Sequence, residues 1–173
     1  MPRQFRLRFD QKSSLCRELL IYNHFLKFMK VPVSPYNQFD GLVYFPRMLD
    51  KARLFARGEL REDLCGNLGL AMDAWTCALL SVSYADVVAE VGRGLDDRAV
   101  LDWCYAHGKK PTDQELRVWN AFMTKVGWRD WLAEKLAVRK AESGLADRED
   151  IQTMFDYIDA DEGREPGDAF AVQ

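Results

Sequence analysis

The sequence predicts an all-α protein: a single irregular domain of about seven helices, preceded by an N-terminal helical extension. Apolar side chains recur every three or four residues through most of the chain, which is the spacing of one helix face. Capping residues precede several of these segments and glycines follow them. At 173 residues, with 48% hydrophobic and 29% charged residues, the chain has the composition of one globular domain.

The first predicted helix covers residues 13–29, inside an extension of residues 1–32. Ser13 or Ser14 can serve as its N-cap, and Pro32 lies beyond its end. Large apolar side chains cover nearly all of its faces, more than one packing face can use. We therefore expect this helix to pack across the core or to contact a second copy of the chain in a homodimer.

A connector rich in turn-forming residues follows. Residues 30–45 contain two prolines and a glycine, and their GLVYF segment is compatible with a short strand or with an early helical turn. The next helix is predicted to begin near Phe45, because Pro46 is tolerated best in a first turn. It should continue to Arg57 and end before Gly58.

Capping signals and periodicity locate the remaining helices. Ser83, Asp96 and Thr112 are the predicted N-caps of three of them. An acidic run near the C-terminus does not fit a calcium-binding loop, because its spacing would put Phe170 where a bidentate glutamate belongs. We interpret that run (Asp156, Asp159, Asp161, Glu162) as a solvated tail. The predicted helices are 70–81, 84–91, 96–107, 112–127, 128–142 and 147–158.

Composition excludes several classes of protein. A net charge of −3 and a pI near 5.5 argue against general nucleic-acid binding. The apolar run near the N-terminus is interrupted by charged residues, which argues against a signal peptide or a membrane span. Four scattered cysteines and two histidines predict reduced thiols rather than a disulfide framework or a zinc site. We expect a cytoplasmic protein without a metal or a cofactor.

The helix after the connector carries the best candidate site. Arg47 and Lys51 are four residues apart, on the flank between its apolar arc and its polar face. This arrangement favours a small anionic ligand in a cleft, and Asp50 completes the polar side of the helix. Trp119 and Asn120, on a later helix, are the other candidate lining residues. The alternative is a solvated flank held by pairs between neighbouring charges.

A second candidate is catalytic. Cys104 and His107 are three residues apart on one helix, which suits a thiolate–imidazole pair, and His107 is expected on the apolar side of that helix. The alternative is an inert buried cysteine beside a histidine that caps carbonyl groups. Together with Asp50, these residues support a small transferase or hydrolase as the alternative function. A non-enzymatic binding or interaction module for a small anionic ligand is the preferred prediction.

Five segments in a fixed order resemble the DUF5069 family, small bacterial proteins of unknown function. They are Ser34-Pro35, GLVYFPRMLDKAR (41–53), Gly58, WNAFM (119–123) and GWRD (127–130). The resemblance covers roughly residues 33–163 and implies a helical cytosolic domain, but no activity. Val33 occupies a position where the family pattern leads us to expect arginine. The chain is thus divided into the extension (1–32), the family-like domain (33–163) and a flexible tail (164–173).

Overall fold

The computed structural model describes residues 29–165. The predicted helix over residues 13–29 lies almost entirely outside this range, so the helix and the homodimer through it remain predictions. The same holds for most of the predicted tail.

Within residues 29–165, eight helices follow a two-stranded hairpin, which confirms the all-α prediction. The elements are β1 (Gln38–Phe39), β2 (Leu42–Val43), α1 (Phe45–Ala56), α2 (Glu62–Cys65), α3 (Met72–Leu80), α4 (Tyr84–Gly92), α5 (Asp97–His107), α6 (Asp113–Met123), α7 (Ala133–Glu142) and α8 (Met154–Asp161).

The sequence allowed the connector segment GLVYF to be either a short strand or an early helical turn, and the structure shows a strand in a hairpin. β1 and β2 pair antiparallel, with Phe39 opposite Leu42. Asp40 and Gly41 between them both have positive φ angles, 53° and 76°, as a tight two-residue hairpin turn requires. The GLVYF segment is therefore a turn and a strand, and its last residue, Phe45, starts α1.

The predicted N-caps are confirmed for three helices. The side chains of Ser83, Asp96 and Thr112 each accept a hydrogen bond from the backbone N–H three residues later. Thr112 and Glu115 form the reciprocal capping box that the sequence predicts. Local capping chemistry thus determines where α4, α5 and α6 begin.

Two predicted helix starts are wrong. Helix α7 begins at Ala133 rather than at residue 128, because Gly127 and Arg129 adopt positive φ angles of 99° and 54°. The Asp130 carboxylate holds this irregular turn by accepting the backbone N–H of Gly127 at 2.9 Å and that of Leu132 at 2.8 Å. Helix α8 begins at Met154, preceded by a capping box at residues 153–156, rather than at residue 147.

Helix α1 lies at the centre of the domain and packs against α4 and β1. Its apolar residues Phe45, Met48 and Leu49 are completely buried. Its polar residues Arg47 and Lys51 are also buried, with 3% and 4% of their surface exposed. A helix buried on its polar side needs partners for its charges, and these partners form the candidate site.

No single helix within residues 29–165 is long and apolar enough to cross a membrane. Helices α3 and α4 meet the length and composition criteria only as a pair, and they are bent by 90° relative to each other.

Candidate ligand-binding site

A pocket of about 220 Å³ opens beside the N-terminal half of α1, where α2, α7 and α8 approach it. Apolar side chains from α2, α3 and α8 form part of its wall. Charged side chains from α1, α2, α7 and α8 or beside them, with a few uncharged polar residues, form the rest. The lining residues are Tyr44, Arg47, Lys51, Arg61, Asp63, Leu64, Asn67, Leu70, Ala71, Met72, Lys135, Arg139, Met154, Tyr157, Ile158, Asp161 and Glu162.

Lys51 belongs to a buried group of three side chains. Its Nζ lies 2.6 Å from Oδ1 of Asp73 and donates a hydrogen bond to the Tyr44 hydroxyl at 3.2 Å. The Tyr44 hydroxyl donates to the same Asp73 oxygen at 3.0 Å, and the backbone N–H of Gly69 donates to the other at 3.0 Å. Burial lowers the pKa of Lys51, partly offset by the Asp73 charge, and raises that of Tyr44.

Arg47 holds two distant parts of the chain together. Its guanidinium makes a two-pronged ion pair with Glu162, just after α8, and donates to the carbonyl oxygen of Val33 at 2.8 Å. Arg164 contacts the same Glu162 carboxylate. The side chains of Arg47 and Glu162 are 3% and 1% exposed. A buried pair with this geometry and additional donors is fully satisfied, so Arg47 has no free charge to offer a ligand.

The acidic run at the C-terminus is not a solvated tail, which corrects the sequence prediction. Asp159 is 2% exposed, accepts a hydrogen bond from the Ser34 hydroxyl at 2.7 Å and pairs with Arg164 at 2.6 Å. Asp161 pairs with Arg61. These carboxylates dock on the connector and on the residues after α1, contacts that local sequence cannot reveal.

The mouth of the pocket carries a basic pair on α7. Lys135 has no hydrogen-bond or ion-pair partner among residues 29–165. Arg139, one turn later on the same face, pairs with Glu142 at 3.2 Å, and both side chains are about half exposed. Such an exposed pair contributes about 0–1 kcal/mol, so a ligand can displace it at little cost.

Two residues of the pocket wall have strained backbones. Tyr44, immediately before α1, has a φ of 71°. Ala71, immediately before α3, has φ 48° and ψ −116°, a combination that normally requires glycine. Strain of this kind costs about 1–3 kcal/mol per residue and is concentrated at functional sites in proteins.

The structure brings together only part of the predicted site. Arg47 and Lys51 both line the pocket. Asp50, expected in solvent, is half-buried and accepts the backbone N–H of Val33 at 3.0 Å. Asn120 lies at the hairpin, where its side chain accepts from the Val43 N–H at 3.3 Å and donates to the carbonyl oxygen of residue 41 at 2.7 Å.

Trp119 also lies outside the pocket wall. Its ring packs near Phe122, with a centroid distance of 6.3 Å, and its indole N–H is buried without a hydrogen-bond partner in the described part of the chain. Trp119 therefore contributes to the packing of α6 rather than to the lining of this pocket.

The cysteine and histidine of α5 have different environments. Cys104 is completely buried in the core, and burial raises the pKa of its thiol to about 11. His107 is exposed, which corrects the prediction that it faces the apolar side. Its ring stacks on Trp103 at 4.6 Å, and its Nδ1 lies 2.9 Å from the carbonyl oxygen of that residue. Neither group has the activated setting of a nucleophilic pair.

Sequence reasoning missed several residues of the pocket. The i, i+4 spacing of Lys135 and Arg139 is visible in the sequence, but it is equally typical of an exposed helix face. The sequence does not reveal the ion pairs of Asp73 and Glu162 with α1, because their partners Lys51 and Arg47 lie far away in the chain. Tyr44 is 29 positions from Asp73, and only its seven-residue spacing from Lys51 is local. No cluster of three or more His, Cys, Asp or Glu side chains within residues 29–165 could hold a metal ion.

A family model described as a domain of unknown function (DUF5069) matches residues 29–164 and so includes every residue of the pocket. No curated protein matches the chain.

Proposed function

The chain belongs to the DUF5069 family, and we propose that the pocket beside α1 makes it a binding module for a small anionic ligand. The observation that carries the proposal is the ammonium of Lys135 at the mouth, which has no charge partner among residues 29–165, next to the weakly paired Arg139. The other cations of the wall, Arg47, Lys51 and Arg61, already have carboxylate partners. An anion between Lys135 and Arg139 would supply the partner that Lys135 lacks in the described part of the chain.

The remainder of the pocket suggests the shape of the ligand. Met72, Met154 and Ile158 offer apolar contact along the wall. A volume of about 220 Å³ is below the range of roughly 300–1,000 Å³ that drug-sized ligands occupy. We therefore infer a metabolite-sized molecule with a carboxylate or phosphate at one end and a short apolar portion at the other.

The alternative, a small transferase or hydrolase, depended on Asp50 or on Cys104 and His107. Asp50 is engaged by the connector backbone, and the cysteine and the histidine lie in different environments. These contacts favour the binding module. The described cysteines are free thiols, which agrees with the predicted cytoplasmic location.

Thermal unfolding in the presence of a panel of carboxylates and phosphomonoesters tests the proposal. A ligand at 100 times its Kd stabilises the folded state by about 2.7 kcal/mol. The double variant Lys135→Ala/Arg139→Ala should lose most of this stabilisation. Lys125→Ala, which removes an exposed lysine outside the pocket, should retain it.

Two outcomes would contradict the proposal. The first is a panel in which no anion raises the melting temperature of the wild-type chain. The second is an anion that stabilises the double variant as strongly as the wild type, because it would bind elsewhere.

A further inference from the structure

We propose that Lys51 is a nucleophilic amine that binds small aldehydes or ketones carrying an anionic group as a reversible imine. This inference rests on the proposed function, because the same pocket has to bring the carbonyl compound to Lys51. It assigns a chemical class to the ligand and a covalent step to its binding.

The geometry around Lys51 indicates that a ligand in the pocket can reach its amine. The side chain is 5% exposed, yet it lines the pocket, so the pocket is its route of access. Its Nζ has a carboxylate at 2.6 Å and a phenol at 3.2 Å, from Asp73 and Tyr44. The Tyr44 hydroxyl would also satisfy a purely structural ion pair, but such a pair would not need a cavity beside the amine.

These two partners can move the protons that imine formation needs. Lys51 first transfers a proton to Asp73, and the nitrogen lone pair then forms a C–N bond to the carbonyl carbon. The carbonyl oxygen takes up a proton from the Tyr44 hydroxyl, giving a carbinolamine. The nitrogen then gives a proton back to the Tyr44 phenolate. The protonated Asp73 carboxyl donates its proton to the carbinolamine hydroxyl, which leaves as water while the nitrogen lone pair forms the C=N bond. One ammonium and one carbonyl thus give one protonated imine and one water, and the positive charge beside Asp73 is kept.

Two further observations agree with this role. Burial lowers the pKa of Lys51 and so increases the share of neutral amine, the form that attacks a carbonyl. The strained residues Tyr44 and Ala71 adjoin this group, since Tyr44 supplies the hydroxyl and Ala71 precedes the helix that carries Asp73. The protein thus tolerates strain where it positions the amine.

Reductive trapping of the full chain tests the inference. Glyoxylate and 4-oxobutanoate serve as short and long probes, with cyanoborohydride to reduce any imine to a stable amine, and peptide mapping locates the product. We expect Lys51 to be modified at least about tenfold faster than the exposed Lys125, because the pocket concentrates the probe next to it. Tyr44→Phe should slow trapping at Lys51 by roughly 10²-fold. Tyr105→Phe, which removes the hydroxyl of a half-buried tyrosine outside the pocket, should not.

The hydroxy acids glycolate and 4-hydroxybutanoate separate this inference from the proposed function. They carry the same anion without a carbonyl, and thermal unfolding reports their binding. Binding of the hydroxy acids, together with preferential trapping at Lys51, supports both proposals. Binding without preferential trapping at Lys51 overturns the imine and leaves the anion site. Failure of both probe classes to bind or to modify Lys51 overturns both.

Discussion

Replacing Arg47 by methionine should destabilise the domain far more than the same change at Arg53 on the same helix. Arg47→Met leaves the Glu162 carboxylate, 1% exposed, without its principal partner. Breaking a buried pair in this way costs about 3–5 kcal/mol, and we expect the lower end because Arg164 still contacts Glu162. The side chains of Arg53 and Asp97, which also form an ion pair, are 26% and 28% exposed. Losing this pair should lower the free energy of unfolding by about 1 kcal/mol or less.

Urea unfolding followed by far-ultraviolet circular dichroism measures both changes. For a small domain the free energy of unfolding falls by about 1–3 kcal/mol per molar urea, so a loss of about 3 kcal/mol moves the midpoint by at least about 1 M. The melting temperature should fall by roughly 6–12 °C. Because methionine replaces the aliphatic stem of arginine, both variants keep the packing of that stem, and the comparison reports mainly the loss of the guanidinium group.

A second substitution tests the reasoning itself. Adding Glu162→Gln to Arg47→Met removes the unpaired charge, so the double variant should recover part of the lost stability, with a coupling of about 0.5–3 kcal/mol. The explanation fails if Arg47→Met is no more destabilising than Arg53→Met. It also fails if the two substitutions at 47 and 162 are simply additive.

Three further outcomes are expected. Gly108→Ala should lower the free energy of unfolding by about 1–3 kcal/mol, as measured by chemical denaturation. The added Cβ would lie 2.8 Å from Cγ1 of Val82 and closer still to a backbone carbonyl oxygen. A variant as stable as the wild type would contradict this prediction. In the native protein, iodoacetamide should alkylate the half-buried Cys65 and spare Cys104, because burial raises the pKa of the Cys104 thiol to about 11. Peptide mapping that finds equal modification of the two cysteines would contradict this difference in burial. Removing residues 1–30 should cause aggregation or a lower melting temperature, and a soluble monomer as stable as the full chain in sedimentation and unfolding experiments would refute the predicted role of that segment.

The sequence predicts the local part of this fold well. Helix starts at Ser83, Asp96 and Thr112 depend on a side chain and a backbone N–H three residues apart, and the structure confirms them. The start of α8 follows the same rule at Thr153 and Asp156, so the sequence also contains a capping signal for this helix. The delayed start of α7 depends instead on left-handed residues after Gly127, which periodicity does not report.

The candidate site is much less predictable, because its contacts join distant positions. The pairing of Arg47 with Glu162 spans 115 positions, and that of Tyr44 with Asp73 spans 29. The flank position of Arg47 and Lys51 correctly suggested a concave surface, since both line the pocket. What it could not reveal is that both charges are already satisfied, which moves the proposed anion contact to Lys135.

The contacts between the connector and the end of α8 also bear on the order of events during synthesis. Ser34 and Asp159, which share a hydrogen bond, are 125 positions apart in the chain. At about 5–20 residues per second, a ribosome needs roughly 6–25 seconds to add that length. Until then, Arg47 on α1 lacks its partner Glu162, so the buried polar side of the helix is not yet satisfied. We expect the domain to become resistant to protease only after residue 164 has left the ribosome, when Glu162 can pair with Arg47 and Asp159 can contact Ser34.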